Sequence, residues 1–167
     1  MWIETPFCPL WLEVSPRGIR RLEPLLWPGA LDPGAKEAEG PLAQEVERRL
    51  RAYFDRRRPG FSDLPLDYTG LNPLRVAVYE EVRGIPYGEV RSYKEVGQAL
   101  ALSARAVGAA LRGCPFFLLV PAHRVVHQDG RLGGFKGLEG LKARLLSLEG
   151  LDLAPDGHLK GRKRGAV

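Results

Sequence analysis

The sequence has few of the features that mark a secreted, membrane or metal-binding protein. Its 167 residues include only two cysteines, Cys8 and Cys114, and three histidines, and the two cysteines lie too far apart to form a metal-binding pair. No apolar run reaches the roughly 18 residues that a membrane span needs, and the first residues lack the basic-then-apolar order of a signal peptide. We therefore expect a cytoplasmic protein with unpaired thiols.

The charge is distributed unevenly along the chain. Residues 1–72 contain 10 Lys or Arg against 11 Asp or Glu, whereas residues 73–167 contain 15 against 9. A positive charge confined to one part of a protein favours a polyanionic partner such as nucleic acid, although a basic surface can also serve solubility alone. With 44% hydrophobic residues, the chain can build a sizeable core.

The chain divides into three predicted parts: residues 1–70, residues 71–153, and a basic tail over residues 154–167. In the first part, residues 10–14 and 19–22 predict a β-hairpin, and the apolar period over residues 42–54 predicts a helix. The second part contains four predicted helices, at residues 73–83, 93–100, 104–112 and 138–148. Asn72, Ser92 and Ser103 are the predicted N-caps of the first three. Residues 116–120 predict a buried strand.

Residues 120–126 have the composition of a nucleophile loop without its nucleophile. Pro121 stiffens the approach, and His123 can take a proton near neutral pH. The small residue between them is where an adjacent histidine would activate a cysteine, but the sequence has Ala122 there. Because a methyl group cannot ionise or form a covalent intermediate, we expect this site to bind its ligand reversibly.

Three motifs together resemble those of the O6-alkylguanine-DNA alkyltransferases: IPYGEVRSY at residues 85–93, SARAVG at 103–108 and PAHRVV at 121–126. Members of that family carry a cysteine at the position of Ala122, and the members that lack it are the alkyltransferase-like proteins. The resemblance implies a mixed α/β (α+β) protein. Its small N-terminal lobe would be ribonuclease-H-like, and its mostly helical second lobe would bind DNA through a helix-turn-helix.

The predicted helix at residues 104–112 has a small exposed face, formed by Ala104, Gly108 and Ala109. Glycine inside a helix costs about 1 kcal/mol relative to alanine, which indicates close approach to another surface. Packing against a second helix would explain it from periodicity alone. In the family this helix enters the DNA minor groove, and Arg105 resembles the arginine that fills the gap left by an extruded base. Tyr93, alternatively a core tyrosine, would lie beside the flipped nucleotide.

By the same resemblance, His123 and Glu149 correspond to the histidine that activates the cysteine and the glutamate that orients it. Because the nucleophile is absent, we interpret them as residues of a degenerate site. The expected lesion pocket consists of Tyr93, Val120, Pro121, Ala122, Val126, Phe135 and Lys136. The backbone amides of Ala122 and Val126 are expected to read the guanine edge. Arg124 is assigned to the DNA-binding residues, although a buried arginine would be paired and structural.

The resemblance thus implies a non-enzymatic sensor of O6-alkylguanine in double-stranded DNA. It would act as a monomer, without a metal, an organic cofactor or a membrane, in the cytoplasm or at a bacterial nucleoid. It would pass the lesion to a damage-recognition protein of nucleotide excision repair. One alternative is an active methylated-DNA-cysteine alkyltransferase, either through another cysteine or with Ala122 as an engineered replacement. Another is a general helix-turn-helix DNA-binding protein, which has no need for His123, Glu149 and the 133–137 loop together.

Overall fold

The computed structural model describes residues 1–24, 37–135 and 139–161. The chain forms two compact units, the first from residues 1–70 and 115–119 and the second from residues 71–114 and 120–167. The expected boundary at residue 70 left residues 115–119 in the second part, whereas the chain returns to the first unit over these residues. Helices and small sheets are both present, so the predicted mixed α/β class is confirmed. No helix in the described ranges is long and apolar enough to cross a membrane.

An antiparallel sheet and one helix make up the described part of the first unit. In spatial order the strands are β1 (Trp2–Ile3), β2 (Leu10–Ser15) and β3 (Gly18–Pro24). In the β2–β3 pair, Leu12 lies opposite Leu22, and both side chains are fully buried. The predicted hairpin is therefore confirmed. Strand β1 was not predicted, because two residues are too few to show alternation.

Helix α1 (Pro41–Phe54) starts one residue before its predicted beginning and ends where predicted. The expected apolar stripe was Leu42, Val46, Leu50 and Phe54, and the buried residues are Ala43, Val46, Leu50 and Tyr53. The two middle residues of the expected stripe, Val46 and Leu50, are therefore confirmed as buried. At the ends, Leu42 and Phe54 are half-buried because the buried face follows 3.6 residues per turn rather than four.

The strand predicted over residues 116–120 is wrong as a regular element, although all five residues are buried. Phe116 pairs in parallel with Leu22, but only as an isolated bridge. Leu118 has a φ of +64°, and the Leu119 amide donates to the Phe117 carbonyl at 2.8 Å. Such a three-residue turn ends a ladder. The backbone therefore turns after a single bridge to the sheet.

The described part of the second unit contains four α-helices and a two-residue parallel ladder. Its elements are α2 (Pro73–Arg83), β4 (Arg91–Ser92), α3 (Tyr93–Leu100), α4 (Ala104–Leu111), β5 (Val125–Val126) and α5 (Glu139–Leu148). The three predicted N-caps are confirmed: the side chains of Asn72, Ser92 and Ser103 accept hydrogen bonds from the amides of Arg75, Glu95 and Ala106. These bonds satisfy amide donors that a helix start leaves free.

The buried face predicted for α2 is partly wrong. The apolar residues of the sequence predict an inward face of Leu74, Ala77, Val78 and Val82, but only the two valines are buried, and Tyr79 joins them. Leu74 is 43% exposed, and Ala77 is exposed as well. The error arises because tyrosine combines a large apolar ring with a polar tip, so a pattern of residue types does not assign it to either face.

Helices α3 and α4 are joined by only three residues, 101–103. Ala101 closes α3 in the left-handed conformation with a φ of 57°. The Leu102 amide donates to the Gly97 carbonyl at 2.8 Å. A Cβ atom at residue 97 would lie 2.4 Å from the Leu102 carbonyl oxygen, so this close return of the chain over α3 requires glycine.

Candidate functional site

The loop that lacks a nucleophile forms a tight turn around Pro121. Pro121 has φ and ψ of −77° and 65°, and the Ala122 amide donates to the Val120 carbonyl at 2.7 Å, which is an inverse γ-turn. Ala122 then begins a 3₁₀ turn and is half-buried, whereas Val120 and Pro121 are buried. The hydrogen of the Ala122 amide is therefore engaged within the turn, and the expectation that this amide reads the guanine edge stays a prediction.

His123, Arg124 and Glu149 form a buried group that we call the ionic cluster. The Glu149 carboxylate accepts from His123 Nε2 at 2.5 Å and from Arg124 Nε and Nη2 at 2.8 and 3.1 Å. It also accepts from the Gly88 amide at 2.9 Å. His123 and Glu149 are 1% and 4% exposed. The predicted neighbours His123 and Glu149 are therefore brought together, although 26 residues separate them in sequence.

The charge states within the ionic cluster follow from burial and hydrogen bonding. Burial lowers the pKa of His123 more than its hydrogen bond to Glu149 raises it, and nearby Arg124 and Lys142 lower it further. Burial alone would raise the pKa of Glu149, but hydrogen bonds and charge from His123 and Arg124 hold it well below the usual range. A neutral His123 thus donates from Nε2 to an anionic Glu149, and its Nδ1 is left as an acceptor.

Arg124 belongs to the protein interior and not to a DNA-contacting surface. It is 7% exposed, Nη1 donates to the Ile85 carbonyl at 2.8 Å, and its guanidinium lies 5.9 Å from the centre of the Tyr87 ring. The assignment of Arg124 to the DNA-binding residues is therefore wrong, and its structural interpretation is confirmed. The connection over residues 85–88, part of the first sequence motif, supplies two hydrogen-bond partners of the ionic cluster, the Ile85 carbonyl and the Gly88 amide.

A second group, the aromatic cluster, consists of Tyr93, His127, Gly133, Phe135 and Lys142. The Tyr93 and His127 ring centres are 5.0 Å apart. Lys142 Nζ lies 3.4 Å from Tyr93 Oη, and 5.6 and 5.9 Å from the centres of the Tyr93 and Phe135 rings. Tyr93 and Phe135, both half-buried, are thus held around one ammonium group.

Lys142 was missed by the sequence analysis. It lies on α5 within a buried stripe that also contains Leu141, Leu145 and Leu146, and it is 1% exposed. Its Nζ donates to the Val125 carbonyl at 2.7 Å, and burial lowers its pKa to about 8. The signal in the sequence is that Lys142 lies three residues before Leu145 and four before Leu146, on the helix face that is expected to be apolar.

Gly133 allows the aromatic cluster to close around Tyr93. Its φ is +81°, and a Cβ atom there would lie 2.7 Å from Tyr93 Oη and 3.3 Å from His127 Nε2. The expected pocket residue Lys136 lies outside the described residues. The Val126 side chain packs with Leu146 and Leu159 in a hydrophobic core and is not available to a ligand.

The exposed face expected on α4 is present in a modified form. Ala104, Arg105 and Ala109 are exposed, whereas Gly108 is half-buried, and a Cβ atom at Gly108 would lie 3.9 Å from the Tyr93 ring. The Arg105 side chain makes no hydrogen bond or ion pair with any residue in the described ranges. The small face of α4 therefore lies next to the aromatic cluster, with an available guanidinium at its first turn.

The sequence matches the family model for the DNA binding domain of 6-O-methylguanine DNA methyltransferase over residues 73–151. That span includes α2 to α5 and both clusters. The chain is also 63% identical over 150 residues to a protein of Thermus thermophilus named DNA base-flipping protein, and the match covers 90% of this chain and 99% of the other. The chain belongs to the O6-methylguanine-DNA methyltransferase family.

Further relatives are named for alkyl transfer. A methylated-DNA–protein-cysteine methyltransferase of Metallosphaera sedula is 46% identical over 104 residues, which are 62% of this chain and 65% of that protein. The structure of Mycobacterium tuberculosis OGT in complex with DNA has a TM-score of 0.76 and 32% identity, covering 89% of this chain and 91% of that one. This protein is therefore a DNA-binding member of the alkyltransferase family. Some relatives are named for alkyl transfer and one for base flipping, so family membership alone does not define the activity. The activity has to be inferred from the residues of the site.

Proposed function

We propose that this protein binds O6-alkylguanine in double-stranded DNA and leaves the alkyl group on the base. The observation that carries the proposal is the methyl group of Ala122, next to the oriented and neutral His123. The ionic cluster can shape a base pocket, but alkyl transfer needs a nucleophile. The two cysteines, Cys8 and Cys114, are not disulfide-bonded, and neither belongs to the ionic or the aromatic cluster.

DNA would be bound through α4 in the minor groove. The exposed methyl groups of Ala104 and Ala109 leave room for the groove walls, and Arg105 is available to fill the gap left by a flipped nucleotide. Flipping is required because the O6 atom of a paired guanine lies on the major-groove edge of the base, which a helix in the minor groove cannot reach. Insertion from the minor groove is also expected to bend the DNA.

The flipped base would be held between the two clusters of the second unit. The proposed pocket consists of Tyr93, Val120, Pro121, Ala122, Phe135 and Lys136, together with the backbone of Val126. Its walls are largely apolar, as an alkyl group requires, and its polar groups are few, as in most small-molecule pockets. Gly108 places the Tyr93 ring beside α4, so one tyrosine would contact both the groove-binding helix and the base.

Lesion recognition without chemistry implies a second protein that completes repair. We propose that the bound complex, through its bent DNA and extruded base, recruits a damage-recognition protein of nucleotide excision repair. With purified components, that partner should load onto an O6-methylguanine duplex faster in the presence of this protein. An unchanged loading rate would remove recruitment from the proposal and leave lesion binding intact.

The test of lesion recognition is a pair of fluorescence anisotropy titrations on duplexes that differ only in guanine or O6-methylguanine at one position. Salt must be fixed, because phosphate contacts make affinity salt-dependent. We expect at least tenfold tighter binding to the lesion, and Arg105→Ala should lose most of that preference. The matched variant Arg112→Ala, exposed at the other end of α4, should retain it. Equal affinity for both duplexes would instead indicate a general DNA-binding protein.

The second candidate function is alkyl transfer by a form of the protein with cysteine at residue 122. It is favoured by the neutral His123 that Glu149 orients, which is the arrangement of a general base. Ala122→Cys should therefore transfer one methyl group from O6-methylguanine, measured as a gain in intact protein mass. A variant that binds the lesion without any gain would show that the ionic cluster no longer activates a thiol.

A further inference from the structure

The imidazole ring of His127 is held in place but makes no hydrogen bond to any residue in the described ranges. Its ring centre lies 5.0 Å from that of Tyr93, at an interplanar angle of 49°. The backbone of His127 is used by the turn that follows, since its amide donates to the Arg131 carbonyl at 2.8 Å and its carbonyl accepts from the Gly130 amide at 3.0 Å. The turn and the Tyr93 ring thus fix the side chain, while both ring nitrogens remain available.

The Nε2 atom of His127 faces the loop at Gly133. A Cβ atom on Gly133 would lie 3.3 Å from Nε2, so the lack of a side chain there leaves the space beside this nitrogen open. His127 is half-buried, so a ligand can reach its ring from solvent. The Tyr93 ring also lies beside α4, at 3.9 Å from a Cβ atom placed on Gly108. One aromatic ring therefore contacts both His127 and the helix that we propose enters the minor groove.

The charges around His127 favour an anion. Among the described residues, the titratable groups that face its ring are Tyr93 on α3, Lys142 on α5, and Asp129 and Arg131 on its own turn. The Asp129 carboxylate is engaged by Arg131, whose amide donates to it at 3.1 Å and whose Nε donates at 2.9 Å. The Tyr93 phenol is neutral near pH 7, because burial raises its pKa. The ring thus has two cations nearby and no ion pair with a carboxylate in the described part of the chain.

Packing alone does not require a histidine at residue 127. A phenylalanine would give Tyr93 the same kind of aromatic contact without two unpaired nitrogens in a half-buried ring. A histidine differs in that it becomes a cation near neutral pH when an anion lies beside it. Under the proposed function, the anion that approaches this face is a DNA phosphate, because every nucleotide step of a duplex carries one.

We propose that His127, in its protonated form, binds a phosphate that flanks the flipped nucleotide. This inference rests on the proposed function, because it assumes that α4 enters the minor groove and that the flipped base lies beside Tyr93. The backbone of the strand that carries this base would then run past the Tyr93 ring, within reach of His127 Nε2. A charge-assisted hydrogen bond from Nε2 to the phosphate would hold the strand in its extruded conformation.

Binding would be coupled to proton uptake at His127. In the free protein, burial and the charge of Arg131 lower the pKa of His127 from its ordinary value of 6.5. A phosphate beside the ring would raise this pKa in the complex. Because the complex then binds the proton more tightly than the free protein, affinity for the lesion duplex should fall as pH rises. Lys142, whose pKa is lowered to about 8, stays charged below pH 7 and does not contribute in that range.

The test is the affinity for an O6-methylguanine duplex, measured by fluorescence anisotropy between pH 5.5 and 7.0 at fixed salt. For the wild-type protein we expect affinity to fall roughly fivefold over this range. His127→Phe keeps the ring contact with Tyr93, and it should bind more weakly than the wild type at pH 5.5 with a flat pH profile. His127→Lys keeps a positive charge at every pH, so its profile should also be flat, but it should bind more tightly than His127→Phe.

A matched variant and two modified duplexes identify the group and the anion. His158→Gln removes a histidine that already pairs with Asp156 at 3.2 Å, and it should retain the wild-type pH profile. In the duplexes, the phosphate on the 5′ or the 3′ side of the lesion is replaced by a neutral methylphosphonate. One of the two replacements should abolish the pH dependence of the wild-type protein and leave the affinity of His127→Phe within twofold. Thermal unfolding at each pH confirms that every variant is folded.

Three results would overturn the inference and leave the proposed function intact. One is a wild-type protein that prefers O6-methylguanine to guanine with the same affinity at pH 5.5 and 7.0. Another is a His127→Phe variant with the affinity and pH profile of the wild type, which would indicate a packing role. The third is a pH dependence that survives both methylphosphonate replacements. If the wild-type protein does not prefer O6-methylguanine at any pH, the proposed function itself fails, and this inference fails with it.

Discussion

His123 keeps the orientation and the protonation state of a base, although Ala122 gives it no thiol to deprotonate. Its Nε2 donates to Glu149, and burial keeps the ring neutral by lowering its pKa. Glu149 in turn accepts from Arg124 and from the Gly88 amide. The charged groups of the cluster therefore pair with one another, which gives them a structural use in a protein that lacks the nucleophile.

Gly133→Ala is expected to damage the aromatic cluster. The substitution introduces a Cβ atom 2.7 Å from Tyr93 Oη at a residue whose φ is +81°, where a side chain alone costs about 1–2 kcal/mol. We expect the free energy of unfolding, measured in urea, to fall by about 2 kcal/mol, and the preference for O6-methylguanine to fall as well. Gly134→Ala is the matched control, since no atom lies within 4 Å of its Cβ position. Equal effects at both residues would contradict the proposed packing around Tyr93.

Lys142→Met is expected to stabilise the protein. Burial lowers the pKa of Lys142 from 10.5 to about 8, which corresponds to a penalty of at most about 3 kcal/mol below pH 8. Because the unfolded chain binds the proton more tightly, wild-type stability should rise as pH increases from about 8 to 10.5. In Lys142→Met that rise should be absent, and its melting temperature at pH 7 should exceed that of the wild type. A lower melting temperature would indicate that the bond to Val125 outweighs the desolvation penalty.

At the scale of the elements, α4 is a short helix with a small face, formed by Ala104, Gly108 and Ala109, that carries only methyl groups and a hydrogen atom. Ser103 caps its first turn, and Gly108 brings it close to Tyr93. A helix of eight residues is marginal alone, so packing must stabilise it. Its exposed alanines are therefore available for contact with DNA.

Ala109→Leu is expected to weaken DNA binding without loss of stability. Ala109 is exposed, so a leucine there changes the unfolding free energy by less than about 0.5 kcal/mol, but it would collide with the walls of a minor groove about 6 Å wide. We expect at least a tenfold loss of affinity for the lesion duplex in anisotropy titrations. Ala77→Leu makes the same change at an exposed residue of α2 and should leave affinity within twofold. Comparable losses in both variants would argue against α4 as the groove-binding helix.

The elements that the sequence predicted well are those with local signals. Asn72, Ser92 and Ser103 cap helices through bonds to amides three residues away, so their effect is visible in a short window. The strand expected over residues 116–120 failed because the φ of Leu118 and the pairing with Leu22 depend on a strand almost a hundred residues earlier. Strand β1 and the buried side of Tyr79 also depend on tertiary neighbours.

At the scale of the whole molecule, the site is assembled from distant parts of the chain. The Gly88 amide and the Glu149 carboxylate are 61 residues apart in sequence, and Lys142 is 49 residues from Tyr93. The sequence motifs identified His123 and Glu149 through family resemblance. No sequence pattern showed that Arg124 points inward to Glu149, or that Lys142 has neutral partners, since both facts depend on how α5 packs.

The pH dependence of folding stability is expected to reflect the ionic cluster. Because the folded pKa of His123 lies below 6.5, the unfolded chain binds more protons, and stability should fall as pH decreases from about 6.5. Glu149 has a lowered pKa, so its contribution is present above about pH 4.5 and is lost in more acidic solution. Urea unfolding of His123→Gln should show a smaller slope between pH 6.5 and 5 than the wild type, because the contribution of His123 is removed. An identical slope would contradict a neutral buried His123.

The central claim is that the protein recognises the lesion and performs no transfer, and an intact-mass measurement on the lesion complex tests it most directly. The protein is incubated with a slight excess of O6-methylguanine duplex at a concentration where binding is complete, and both components are then analysed. We predict an unchanged protein mass and a duplex that still carries the methyl group after prolonged incubation. A protein heavier by one methyl group, with guanine restored in the duplex, would contradict the claim.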